Sequence, residues 1–276
     1  MSYGTKEWAD WVLEEKEGIE HIKAAYEAGI QTFDTANMYS NGESERILGN
    51  AIKQLDLPRD EIVVMTKLCG IVGRTPAEVY WADTSKGDAN GYVNQYGLSR
   101  KHIFESVKKS LERLQLDYID VLQCHRFDYN TPIEETMRAL HDVVQAGYAR
   151  YIGMSKKKRE RDGTNNKDVW VGMIPWSPLA GGVLSRPFSE SSLRFDTDPF
   201  AKLMGRVRDS NKEIVSRAEK IAKSRGISMA QVSIAWNLSK DYTTAPIIDA
   251  IDVKLTEEEI RQLEEPYVPR AIIGHA

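Results

Sequence analysis

Apolar positions in residues 17 to 28, "EGIEHIKAAYEA", recur at helical spacing, with Ile19, Ile22, Ala25 and Tyr26 on one face. Gly29 stops that pattern before an apolar, strand-like run, "IQTFDTA". The alternation then repeats. A helix is predicted over 44–55, a strand "IVVMTKL" over 62–68, a helix over 99–114 and a strand "YIDVLQCH" over 118–125. Helix 131–146 and strand "ARYIGMS" at 149–155 follow. Nearly continuous apolar strands that alternate with amphipathic helices indicate a parallel sheet buried on both faces. A (β/α) barrel and a doubly wound sheet both satisfy this pattern.

The remainder is less regular. Residues 156–168, "KKKRERDGTNNKD", are polar, carry several basic residues and lack an apolar period, so they read as an exposed loop rather than a nuclear-localisation signal. A strand "VWVGMIPW", a turn "SPLAGGVLSRP", a long loop, helices over 210–225 and 228–239 and a short strand "TTAPII" come next. The last helix, 256–265, opens with Thr256 as N-cap and Glu259 three residues on, a capping box.

Composition narrows the function. A chain of 276 residues accommodates one α/β barrel, and 37 Lys+Arg against 41 Asp+Glu leave a net charge of -4, with no electrostatic footprint for nucleic acid. The two cysteines, Cys69 and Cys124, each follow an apolar run and read as reduced, buried thiols rather than a disulfide framework. The N-terminal stretch "MSYGTKEWADWVLEEKEG" has neither a basic n-region nor an apolar core, and no apolar run approaches the ~18 residues that cross a bilayer. The expectation is a cytoplasmic protein with no membrane partner.

In parallel α/β folds chemistry collects where strands end. Four strand ends here carry polar groups: Asp34 with Tyr39 just beyond, Lys67, His125 and Ser155. Each alone has a structural explanation, as a buried ion pair, a satisfied core histidine or a surface tyrosine. Together they require a shared reason. Proton transfer to a carbonyl oxygen is one. A phenol is a poor acid at neutral pH until a cation stabilises its phenolate. Lys67 would supply that charge, Asp34 would hold Lys67, and His125 would direct the carbonyl. No P-loop, HExxH, paired-Cys metal spacing or GxGxxG is present, so no metal is expected and any nicotinamide cofactor would not be held in the Rossmann manner.

The segments "GIQTFDTANMYSNGESERILGNAI", "VVMTKL", "LERLQLDYIDVLQCHRFDYNTPIEETMRALHDVVQAGYARYIGMS" and "GMIPWSPLAGGVLSRP" resemble the aldo-keto reductases, most closely their fungal aryl-alcohol dehydrogenase-like branch. The resemblance covers most of the chain in order. It implies a TIM (β/α)8 barrel as a single domain over 1–276, NADPH as cofactor, and reduction of an aldehyde or ketone, of aromatic type, in fungal secondary metabolism. It assigns Tyr39 as general acid, with Lys67 and Asp34 tuning it and His125 orienting the carbonyl. It places Ser155 on the nicotinamide carboxamide, Trp176 against the nicotinamide ring, and the turn Ser177 to Gly181, Leu179 included, around the pyrophosphate. A small-molecule carbonyl substrate and a monomer or weak homo-oligomer are the expected partners and state.

The chain also departs from the family. It begins at "MSYG", where the family's first strand ends, and the polar loop after Ser155 stands where a sixth strand with a carboxamide-binding glutamine is expected. "TTAPIIDAIDVKL" runs almost directly into the terminal helix, where the family has its adenosine 2′-phosphate groups. The apolar pattern supplies about six strands, against eight in a complete barrel. Lys156, Lys157, Lys158 and Arg159 offer a substitute phosphate site or a solvated loop. The 70–98 loop, with Tyr80, Trp81, Tyr92 and Tyr96, covers an aromatic substrate or packs on its own aromatics. The competing function is a non-catalytic or impaired aldo-keto reductase-like protein with a binding or regulatory role.

Overall fold

The structure, a computed structural model, describes residues 2–80, 87–154, 174, 177–198, 209–240, 243 and 252–267. It divides into two compact units, Met1–Glu160 and Arg161–Ala276.

The first unit realises the predicted alternation: α1 (Glu15–Glu27), β1 (Thr32–Asp34), α2 (Glu43–Gln54), β2 (Val63–Leu68), α3 (Arg100–Leu114), β3 (Ile119–Cys124), α4 (Ile133–Gln145) and β4 (Ala149–Met154). The four strands form one parallel sheet in sequence order. Gly29 ends α1 as expected. With φ 91°, it lets Gly29 N donate to Tyr26 O and Ile30 N to Ala25 O, the paired bonds that satisfy the last carbonyls of a helix. Gly147 closes α4 in the same way.

One face of the sheet is dry. Phe33, Val64, Leu68, Leu122 and Cys124 pack with Ile47 and Ala51 of α2, Ile103 and Val107 of α3, and Ala139 and Val143 of α4. Two chemical devices cross this layer. Glu45 of α2 is fully enclosed, accepting from Thr66 Oγ1 and Arg113 Nε, both at 2.6 Å. Gly42, at φ 94°, admits the Arg113 side chain, since a Cβ there would meet Arg113 Cδ at 2.5 Å. The opposite face carries Asp34, Lys67 and Gln123.

β1 is shorter than the apolar run that predicts it. Beyond Asp34 the chain still donates to β2, from Thr35 N to Met65 O and from Asn37 N to Lys67 O, and then coils into a 3-10 turn over Tyr39–Gly42. The 70–80 and 87–98 stretches pack on themselves. Tyr92 is buried edge-on against Tyr80, its hydroxyl donates to Glu78 and accepts from Arg74 N, and the Arg74 guanidinium lies 4.4 Å over its ring. Trp81 lies outside the described residues.

The second unit contains a 3-10 turn over Ala180–Ser185, α5 (Leu193–Thr197), α6 (Asp209–Arg225), α7 (Met229–Leu238) and α8 (Glu257–Glu264). Val215, Ala218 and Ile221 of α6 pack with Met229 and Val232 of α7 and Leu263 of α8. The Thr256/Glu259 capping box forms, and a second one, Ser228 with Gln231, opens α7. The predicted strand "VWVGMIPW" falls outside the described residues except for Ile174, and "TTAPII" except for Thr243; the expected sixth-strand position also lies outside them. No helix among the described residues is long and apolar enough to cross a membrane.

Candidate active site

The carboxyl ends of β1, β2 and β3 bring four of the predicted residues together. Lys67, near the end of β2, points its Nζ at Asp34 Oδ2, 2.5 Å away, and at the Thr35 carbonyl oxygen, 2.8 Å away. The same ammonium lies 5.3 Å from the Tyr39 ring centroid. His125 follows β3 directly, its backbone N–H bonded to Leu68 O, and its ring meets Tyr39 edge-on with centroids 5.5 Å apart. Tyr39, Lys67 and His125 are buried, whereas the Asp34 side chain is 41% exposed.

Burial pulls the Lys67 ammonium below the ordinary lysine value, and the Asp34 carboxylate pushes it back. His125 is driven down to about 3, first by burial and then by the Lys67 cation. Its imidazole is therefore neutral at physiological pH. Its Nδ1 is buried without a hydrogen-bond partner, as are both amide atoms of Asn37. The cluster holds one fixed cation beside a phenol and a neutral imidazole, an arrangement suited to stabilising negative charge as it develops on an oxygen.

Sequence reasoning missed Gln123, whose Nε2 donates to Asp34 Oδ1 at 3.1 Å. The signal was available: a polar residue two positions before His125 shares its strand face. It also missed Asn41, whose amide donates to the carbonyls of Thr75, Pro76 and Glu78 and accepts from Gly73 N, fastening the loop after β2 beside Tyr39. Among the described residues no group of His, Cys, Asp or Glu could hold a metal. Both cysteines are free; burial raises the Cys69 thiol to about 11 and the Cys124 thiol to about 12, so neither is a ready nucleophile.

The sequence matches the Aldo/keto reductase family over residues 1–161 and 165–272. The chain belongs to the aldo/keto reductase family. It is 44% identical to the versiconal hemiacetal acetate reductase of Aspergillus parasiticus, over 99% of this chain and 93% of that one. A Saccharomyces cerevisiae protein provisionally named aryl-alcohol dehydrogenase AAD16 is 40% identical, over 98% and 92% of the two chains. Aldo-keto reductase AFTS1 of Alternaria alternata is also 40% identical, over 100% and 89%. As an aldo/keto reductase the protein is an oxidoreductase of the TIM-barrel class, and the described residues show four parallel strands of that fold.

Of the residues expected to hold the cofactor, Ser155 and Trp176 lie outside the described residues. Ser177, Leu179 and Gly181 belong to the second unit. There Ala180, Gly181 and Gly182 have φ of 51°, 68° and 97° in succession. A Cβ on Gly182 would meet only the side-chain ends of Arg186 and Ser185, at 3.8 Å, while Ala180 N and Gly182 N donate within the turn to Ser177 O and Leu179 O. The room beside Gly182 lets a phosphate-bearing group approach the backbone there.

Proposed function

We propose that the protein reduces an aromatic aldehyde or ketone to the alcohol in the cytoplasm, with NADPH as reductant and Tyr39 as general acid. One observation carries the reading. The Lys67 ammonium is held at 2.5 Å by Asp34 and faces the Tyr39 ring, while His125 stands edge-on to the same ring. A reduced nicotinamide, when bound, supplies the hydride. The chain's own residues do the rest. Lys67 stabilises the phenolate that remains after Tyr39 gives its proton to the carbonyl oxygen. Asp34 keeps Lys67 charged and aimed. Neutral His125 donates a hydrogen bond to the same oxygen and fixes its direction.

Ser155, Trp176, Ser177, Leu179 and Gly181 are the proposed cofactor-binding residues. The aromatic substrate class is supported by the aryl-alcohol name of the yeast relative. A second reading, an impaired or non-catalytic family member, is favoured by one fact: the alignment with the Aspergillus reductase spans 322 positions against 276 residues here, so that relative carries stretches this chain lacks.

Titration of the purified protein with NADPH and with NADH, followed by tryptophan fluorescence, tests the reading, together with an aromatic-aldehyde screen of the wild type and Tyr39→Phe. Tighter NADPH binding with turnover lost in the variant supports it. Turnover that survives Tyr39→Phe overturns the role of Tyr39. A folded protein that binds neither nucleotide supports the second reading.

A further inference from the structure

Gln123 stands on β3 directly across from Lys67 on β2, and Gly153 on β4 faces it from the other side. Asp34 lies on β1, opposite Met65. Gln123 reaches across the intervening strand, and the two carboxylate oxygens of Asp34 are divided between two donors: Oδ1 accepts from Gln123 at 3.1 Å and Oδ2 from Lys67 at 2.5 Å. The missing side chain at Gly153 leaves the room. A Cβ there would lie 3.3 Å from Gln123 Cγ and 3.7 Å from Val121 Cγ1.

We infer that Gln123 is a positioning residue for the Lys67 cation, acting through Asp34. A carboxylate turns freely about its last torsion, because that torsion is broad. With one oxygen pinned by Gln123, the other stays on Lys67. The dependence is strong because Lys67 is only 6% exposed and its charge has little water to fall back on. Besides Asp34, the Thr35 carbonyl oxygen accepts from its Nζ at 2.8 Å, and three other groups bear on it. Glu45 on α2 favours the charged form from farther away, but its own oxygens are taken by Thr66 and Arg113. His125, beyond β3, is uncharged at neutral pH, and Tyr39 presents its ring to the ammonium at 5.3 Å. Asp34 is thus the counter-ion in direct contact, and Gln123 decides which way it points. The kinetic consequence rests on the catalytic reading above; the electrostatic one does not.

The test is a titration of Lys67 by NMR in the full-length protein labelled with 13Cε-lysine, using Lys67→Arg to assign the resonance. Gln123→Met keeps the length of the side chain and removes the donor. The Lys67 midpoint is expected to fall by about half a pH unit or more, roughly a threefold change in its protonation equilibrium. An unmoved midpoint in a folded Gln123→Met protein overturns the inference, since a glutamine that merely packs would change the melting temperature and not this titration. Should that variant fail to fold, Gly153→Ala carries the test by pressing on Cγ. It is expected to lower the midpoint by a smaller amount, and no shift overturns the inference.

With turnover in hand, the alkaline limb of kcat follows the Lys67 midpoint downward in Gln123→Met while KM stays within about twofold. Tyr39→Phe separates the two claims. Turnover that survives it overturns the catalytic reading and leaves the Lys67 titration to stand or fall by itself. Turnover lost in Tyr39→Phe, with an unmoved midpoint in Gln123→Met, overturns this inference alone.

Discussion

The His125 imidazole meets the Tyr39 ring edge-on, at 80° and 5.5 Å between centroids, and it does so uncharged. Two aromatic rings in that geometry attract each other through the edge of one and the face of the other. The neutral state has a thermodynamic consequence. Burial and the Lys67 cation hold the folded-state value near 3, well below the ordinary 6.5, so the unfolded chain takes up this proton first as pH falls. His125 therefore destabilises the fold progressively below about pH 6.5, down to about pH 3. Between pH 7 and about pH 4.5 this costs on the order of 2 to 3 kcal/mol. Denaturant melts of the wild type and His125→Asn at the two pH values check it: the wild type should lose more stability than the variant over that interval.

Asp34→Asn leaves the Lys67 cation without its anionic partner. Lys67 should then deprotonate at lower pH, and carbonyl reduction should drop by about 10- to 100-fold, within the range that a positioned acid or base contributes. The check is kcat against pH for wild type and variant. A profile that merely scales down, with its alkaline limb in place, contradicts this account of Asp34.

Arg113 and Glu45 form a pair at 2.6 Å with 8% and 0% of their side chains exposed. Removing one partner strands a buried charge, so Arg113→Met is expected to cost about 3 to 5 kcal/mol. Replacing both, as Glu45→Leu with Arg113→Met, should cost less than the sum of the single changes. Urea denaturation of the three variants measures the coupling directly.

Gly42 meets two demands, a left-handed φ of 94° and the close passage of Arg113 Cδ. Gly42→Ala should destabilise by about 1 to 3 kcal/mol. If close passage contributes, the loss should shrink in the Arg113→Met background. Equal losses in both backgrounds would leave backbone conformation as the whole cause.

Asn41 holds the chain at Gly73, Thr75, Pro76 and Glu78 with one side chain. Its own φ is 52°, a conformation glycine adopts without strain, so Asn41→Gly removes the four bonds and preserves the backbone. Hydrogen exchange by mass spectrometry should speed up over residues 71–80 in this variant, by about tenfold. The β2 and β3 amides should exchange as before.

The sequence by itself determined the α/β alternation, the glycine that stops α1, the capping box at Thr256, and the placement of Asp34, Lys67 and His125 at consecutive strand ends. All of these are local. Periodicity, turn chemistry and caps act over a few residues, and a strand end is visible wherever an apolar run gives way to polar residues. What only the tertiary structure decided depends on partners far apart in the chain. Gln123 bonds Asp34 across 89 positions and Arg113 bonds Glu45 across 68, and no local pattern names such a partner, because strand register and helix packing choose it. The protonation state of His125 is decided in the same way, since burial beside Lys67 fixes it. The 70–98 loop shows the limit most plainly. Its aromatic residues were legible as a substrate cover or as self-packing, and the enclosure of Tyr92 between Tyr80, Glu78 and Arg74 favours the second for that residue. Composition gave both readings the same aromatic residues, and only tertiary packing tells which surface of a ring is covered.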